Sequence, residues 1–289
     1  MSGASFGYGF ILTGGTDSDF DAHLGRMTDK SNATLNAEIL DLIVGLKEDD
    51  IWDKIVDFCI LHDNLADSLL GIKGSSDSAE YDLFSGGGTL THSVGPGNTA
   101  GITTGATDNE SLGGTGVCIN TQITRGNAND CGVFEVDHAY SSGGSTENVF
   151  LAGFANGFRA VKTTAFKGST NVGGQVNGSA AATVAGLTNG FSLTSQNPAD
   201  VDDAFFTRNA STSTVTGATN AASGGNEVYI GADNHGVNDA RFGTNAGGPY
   251  SARFSAWGVT ENLTLAEAQL LKSRLKTFLS NTYSITAIP

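Results

Sequence analysis

Gly45–Gly74 reads GLKEDDIWDKIVDFCILHDNLADSLLGIKG, and how this stretch is read decides the architecture. Glu48, Asp49 and Asp50 open it, Ile51, Trp52, Ile55, Val56, Cys59 and Ile60 follow, and Leu65, Leu69 and Leu70 continue the apolar pattern. Read at helical spacing, the large apolar groups lie on more than one side. Such a helix has to be covered from two directions. The expectation is a third helix, packed between two sister helices and a second, different layer.

The sister helices are upstream. TDSDFDAHLGRM places Phe20, Leu24 and Met27 four and three residues apart behind a run of acids, which suits the positive end of a helix dipole. SNATLNAEILDLIVGLK puts Leu35, Ile39, Leu42, Ile43 and Leu46 on one face, with Gly45 a weak point near the end.

Beyond about Tyr81 the texture changes. Thirty-one of the 40 glycines lie between 84 and 259, separating short runs that read as strands: GVCINTQI, VFEVDHAYS, NVFLAGFAN, GFRAVKTTAF, STVTGATN, EVYIGAD and YSARFSAWGVT. Many short strands with glycine turns predict a sandwich or barrel, which supplies the missing cover. Val133, Glu135 and Asp137 alternate with Phe134, Val136 and His138, as on a sheet with one dry and one wet face. TLAEAQLLKSRLKTFLSNT then sets Thr264 and Glu267 in capping-box spacing and runs Leu265, Ala268, Leu271, Leu275, Phe278 and Leu279 down one side. The expected organisation is an arm over 1–16, a helical subdomain over 17–75, and a β-sandwich over 80–289 that includes a closing amphipathic helix at 264–281.

The formal charge is −15, and residues 1–83 carry 16 acids against 5 bases. A phosphate backbone would be repelled, so nucleic acid is not an expected partner. There is no apolar run of membrane-spanning length and no cleavable leader at the N-terminus, so a soluble protein without membrane insertion is expected. Cys59, Cys118 and Cys131 make an odd count; Cys59 reads as a small core residue, and a bridge between Cys118 and Cys131 stays open.

The chemistry-bearing patterns are weak. Glu135 and Asp137 in FEVDHAY match the first two positions of the carboxylate motif of laminarinase-type glycoside hydrolases, but Ala139 or Tyr140 stands where the acid/base should be. They are expected as carboxylates on the wet face. Asp17, Asp19 and Asp21 have calcium-loop spacing, yet Ala22 and Thr28 replace the required glycine and glutamate. His23, His62, His92, His138 and His235 show no ligand spacing. No catalytic residue, metal site or cofactor is expected. The best binding candidate is the loop GADNHGVNDARFGTNAGGPY over 231–250, whose Asp233, Asn234, His235, Asn238, Asp239, Arg241 and Tyr250 are groups that suit sugar hydroxyls and ring faces.

Phe20–Gly74 resembles the helical lead-in of a family of bacteriophage structural proteins, often tail-associated, in which this segment precedes a concanavalin A-like (LamG-like) β-sandwich. Arg26, Met27, Thr28, Leu46, Lys47, Ile51, Trp52, Lys54 and Lys73 stand at the matching places. FFTRNAST is similar to a segment in which a pair such as Arg208–Asn209 makes a hairpin, and EVYIGADNHG to a strand ending in a turn. Departures occur at Asp50, where the family has glycine, and at Phe58–Leu61. The resemblance implies a mainly β, jelly-roll sandwich with an N-terminal helical subdomain, Trp52 as a buried structural anchor, and a non-enzymatic virion protein. Such a protein would be made in the bacterial cytoplasm, exposed on the tail or capsid, contact other virion proteins, and form a homo-oligomer, preferably a trimer. The alternative it leaves open is a carbohydrate-binding adhesin that recognises host surface glycans from a tail fibre or spike tip.

Overall fold

The computed structural model describes residues 17–82, 89–106, 116–124, 131–142, 148–153, 162–166, 171–175, 182–185, 189–197, 200–216, 227–234, 240–241, 243–244, 250–286 and 288–289. It is mainly β, an antiparallel, sandwich-like sheet with a few helices. The proposed arm over 1–16 lies outside the described residues.

The first two helices form where the apolar spacing places them. Helix α1 (Ser18–Arg26) is capped by Asp17, whose carboxylate accepts the N–H groups of Asp19 and Phe20 at 3.0 and 3.3 Å. The acids at its start thus serve a helix N-terminus. Helix α2 (Ala33–Glu48) is capped by Asn32 and buries Leu35, Ile39, Leu42, Ile43 and Leu46.

The expected third helix does not form. Trp52–Lys54 makes a single 3-10 turn, Ile55–Ile60 is strand β1, and only Leu65–Ser68 winds into one helical turn, α3. The reason lies in a strand some two hundred residues away. Strand β18 (Tyr250–Thr260) pairs along one edge with β6 (Gly132–Ser142). On its other edge, β4 (Gly101–Ala106) covers only residues 250–254. The open remainder is filled by β1, with Phe58 opposite Gly258 and Cys59 opposite Trp257. Unpaired backbone groups there would be costly once buried, and β1 satisfies them. Segment 17–75 is therefore not helical throughout, and its strand β1 is part of the main sheet.

From β18 the sheet continues through β6 to β11 (Gly190–Asn197), β12 (Asp200–Arg208) and β13 (Ser211–Thr216). In the other direction β4 leads to β5 (Gly116–Thr124), β14 (Glu227–Ile230), β7 (Asn148–Gly153), β8 (Lys162–Phe166), β9 (Asn171–Gln175) and β10 (Ala182–Ala185). Strands β2 (Ala79–Asp82) and β3 (Thr91–Ser93) pair with β5 and β4. The two arms fold over one another, so that β9 and β10 lie against β12. At one crossing, a Cβ on Gly174 would lie 2.4 Å from Thr194 Oγ1 and 2.7 Å from the Phe206 ring. Only glycine permits that approach.

The opposite face of β6 and β11 carries Phe134 and Phe191, whose ring centroids are 6.1 Å apart, and helix α4 (Leu265–Tyr283) meets the sheet at β12. Thr264 and Glu267 form the expected capping box. Ala268, Leu271, Leu275, Phe278 and Leu279 are buried, whereas Leu265, expected on the same face, is 42% exposed at the first turn. Helix α4 packs on α2, and Arg274 crosses α2 at Gly45, where a Cβ would lie 2.5 Å from its guanidinium. Arg274 then binds Asp49 through Nε and Nη2 at 2.7 and 3.1 Å. The weak point in α2 is thus a groove for an arginine.

All three cysteines are buried thiols, so the bridge left open between Cys118 and Cys131 is not present.

Candidate functional site

Of the residues selected in the 231–250 loop, His235, Asn238 and Asp239 lie outside the described residues. The rest form a small structure of their own. Asp233–Asn234 (β15) pairs antiparallel with Ala240–Arg241 (β16), which sets Asp233 opposite Arg241 in register. Gly231 begins the turn at φ +82°, close against Thr104, and Gly243–Thr244 (β17) then runs along β7. Tyr250 opens β18, opposite Ala106 and Ser142. Asn234 does not face a ligand: it is 3% exposed and its Nδ2 donates to the Glu227 carbonyl at 3.0 Å. Asn234 is therefore a brace for the loop.

The FEVDHAY carboxylates require a larger correction. Glu135 and Asp137 are not on a wet face; they are 0% and 3% exposed, as buried as Phe134 and Val136. The folded-over arm of the sheet covers the side that alternation marks as open. In register, Glu135 stands opposite Ser192, and Ser192 opposite Arg208, so these groups share one interior face. Arg208 forms a salt bridge with Asp137, both side chains being only 4% exposed, and donates through Nη1 to Ser192 Oγ at 2.5 Å and to the Gly190 carbonyl at 3.3 Å. The Asp137 carboxylate is thus engaged by a guanidinium inside the sandwich and does not stand at an open cleft. Next to it, Asn209 takes up φ 55° in the turn between β12 and β13. Its Oδ1 accepts the Phe191 N–H at 3.0 Å and its Nδ2 donates to the Asn189 carbonyl at 3.2 Å, so the Arg208–Asn209 pair ties β6, β11 and β12 together.

Trp52 is 6% exposed and meets Phe58 edge-on, with centroids 6.2 Å apart. The Lys47 and Lys73 ammonium groups lie 5.2 and 5.1 Å from the centre of its ring, within range of the ring quadrupole. Trp52, Lys47 and Lys73 line a 580 Å³ cleft with Asp19, Asp50 and Asp53, which sequence reasoning did not identify because its members come from three separate stretches of the chain. Its cations are already engaged. Lys47 binds Asp17 and Asp19, and Lys73 donates to the Trp52 and Ile55 carbonyls at 2.9 and 2.7 Å. Among the described residues, no group of three or more His, Cys, Asp or Glu side chains is arranged to hold a metal ion.

No protein-family profile matches the sequence, and no curated protein matches it. The solved structures it is similar to include a botulinum neurotoxin type C structure described for its interaction with two ganglioside molecules. That match has 8% identity and a TM-score of 0.48, over 78% of this chain and 52% of the other. Another is the binding domain of botulinum neurotoxin DC in complex with rat synaptotagmin II, at 9% identity and a TM-score of 0.49, over 77% and 52%. The chain spans about half the length of each. At these TM-scores the likeness carries no argument about what this chain binds.

Proposed function

We propose that the chain is a non-enzymatic bacteriophage virion structural protein, a concanavalin A-like jelly-roll sandwich exposed on the tail or capsid and mounted through its helical head. One observation carries this reading: the charged and aromatic residues shared with the phage lead-in pattern all act as fasteners. Arg26 reaches the Gly71 carbonyl and pairs with Asp77 at 3.0 Å; the Thr28 N–H and hydroxyl bind Asp67 at 2.7 and 2.9 Å. Lys54 meets Glu267 of α4 at 2.5 Å, and Lys47 and Lys73 flank Trp52. A motif engaged in holding the head together and, through Lys54, in tying it to α4 supports a mechanical role over a chemical one. Contacts with other virion proteins and self-association, preferably as a trimer, belong to the same proposal. The test is mass spectrometry of purified particles together with native mass spectrometry of the isolated protein. Co-purification at a copy number that fits the particle symmetry is expected; absence from intact particles would refute the reading.

The β15–β16 pairing, which sets Asp233 in register with Arg241, favours a second reading, a host-recognition adhesin that binds glycans at this loop. Glycan-array binding abolished by Asp233→Ala would establish it, and an array without signal would leave only the structural role.

A further inference from the structure

Three histidines that are scattered in the sequence meet under α1. His23 on α1 and His62, just after β1, are both fully buried, and their Nε2 atoms are 3.3 Å apart. Their ring centroids are 5.2 Å apart, with the planes inclined at 47°. His92 on β3 places its Nε2 2.9 Å from the His62 carbonyl and 3.3 Å from Ser68 Oγ.

The neighbours fix where the protons are. Arg26 Nη2 lies 3.5 Å from His23 Nδ1, and a guanidinium can only donate. His23 Nδ1 is therefore the acceptor, and the neutral ring carries its proton on Nε2. That N–H points at His62 Nε2, which has to accept, so the His62 proton is on Nδ1. There it has no hydrogen-bond partner among the described residues. An additional proton has two places to go. On His23 it would confront the Arg26 guanidinium, which already donates to the Gly71 carbonyl that this proton would need, and on His62 it would confront the His23 N–H. Either sets donor against donor in a buried space, where an unmade hydrogen bond costs most.

We propose that the His23–His62 pair is an acid-operated latch, which holds α1 against the corner between β1 and α3 at neutral pH and releases it when either ring gains a proton. The charged and titratable groups facing the pair are Arg26, Asp67 and Asp77 around His23, and Asp67 and His92 around His62. Burial first, and Arg26 second, push His23 down to about 4; burial first, and His23 second, push His62 down to about 3. The Gly71 carbonyl, Asp67 and Asp77 pull His23 the other way, and Asp67 alone does so for His62, without prevailing. Asp67 also clasps the chain just beyond α1, accepting the N–H groups of Thr28 and Asp29. Burial works to raise its carboxyl, but these N–H groups, Asn64 and the Thr28 hydroxyl together hold it below the usual carboxylate range. That clasp therefore persists where the latch fails, which makes 28–29 the pivot and 17–27 the moving part.

The direction follows from the lowered histidine values. The latch is intact above the ordinary imidazole value of about 6.5 and weakens as pH falls from there toward about 4. At about pH 4.5 the opening equilibrium is about 100-fold larger than at neutral pH for each imidazole the open state exposes. Hydrogen exchange read by mass spectrometry on the intact chain, corrected for intrinsic rates, tests this between about pH 7.5 and about pH 4.5. Peptides covering 17–27 should open about 100-fold more or beyond on acidification while β6 keeps its protection, and His23→Gln, which retains a donor but does not titrate, should lower that response about 100-fold. Unchanged protection of 17–27, loss of protection in 17–27 and β6 together, or an undiminished response in His23→Gln would overturn the latch. Imidazole nitrogen NMR on the unmodified protein supplies a reading independent of the variant: His23 protonated on Nε2 and His62 on Nδ1 at neutral pH. The reverse tautomers, or protection of 17–27 by added Zn2+, would overturn it as well.

Discussion

Replacing Arg208 by methionine isolates the ion pair that the structure buries between β6 and β12. Both side chains of the Asp137–Arg208 pair are 4% exposed, and the guanidinium also serves Ser192 and the Gly190 carbonyl. Methionine fills much of the volume and supplies no donor, so Asp137 and the Gly190 carbonyl both lose a charged partner inside the sandwich. Removing one member of a buried pair costs about 3–5 kcal/mol, because the remaining charge stays desolvated. Removing both should be far gentler. Arg208→Met with Asp137→Leu takes away the orphaned charge, and exchanging a buried pair for apolar groups of similar size is often close to neutral. Urea unfolding followed by tryptophan fluorescence and far-ultraviolet circular dichroism measures both variants. The single variant should lose about 3–5 kcal/mol with an unchanged slope, and the double variant should regain most of that loss. A single variant within about 1 kcal/mol of the parent would show that the pair is solvated, a range typical of exposed pairs. A double variant that loses the sum of two independent single losses would show that the two side chains do not interact.

Two further outcomes follow from the packing. Gly258→Ala would set a Cβ 2.5 Å from Phe58 Cβ and 2.7 Å from the Phe134 ring, where β1, β18 and β6 run side by side; overpacking of this kind should cost about 1–3 kcal/mol in the same unfolding assay. The native protein should resist thiol reagents at neutral pH, because burial pushes the Cys59 thiol up to about 12 and raises that of Cys118, and all three cysteines should react once the chain is unfolded.

Local patterns with one buried face were legible in the sequence. Strand β18 has the bounds read for it, α4 begins at the capping box, and α2 buries the five residues assigned to its inner face. Strand β1 was misread because Ile55, Phe58, Cys59 and Ile60 are all buried. A strand covered on both faces loses the alternation that distinguishes it from a helix, and here the remaining spacings happened to match 3.6 residues per turn. The Glu135–Asp137 alternation was present but did not mean exposure, since a second arm of the sheet crosses that face. Its one visible counterpart was Arg208 at the end of an apolar run, and nothing local linked the two. The histidines were set aside for want of ligand spacing, and only the pairing of β1 with β18 and the docking of α1 bring His23 and His62 together. In the 231–250 loop the residue types suggested ligands, yet the amide of Asn234 was needed to satisfy the carbonyl of Glu227.

The claim that the head is a mount is tested most directly by electron cryomicroscopy of the assembled particle. The account predicts density for the chain in which α1 and α2 abut a neighbouring virion protein and the sandwich projects outward. A head open to solvent, with the sandwich buried in the particle wall or the chain missing from it, would contradict the account.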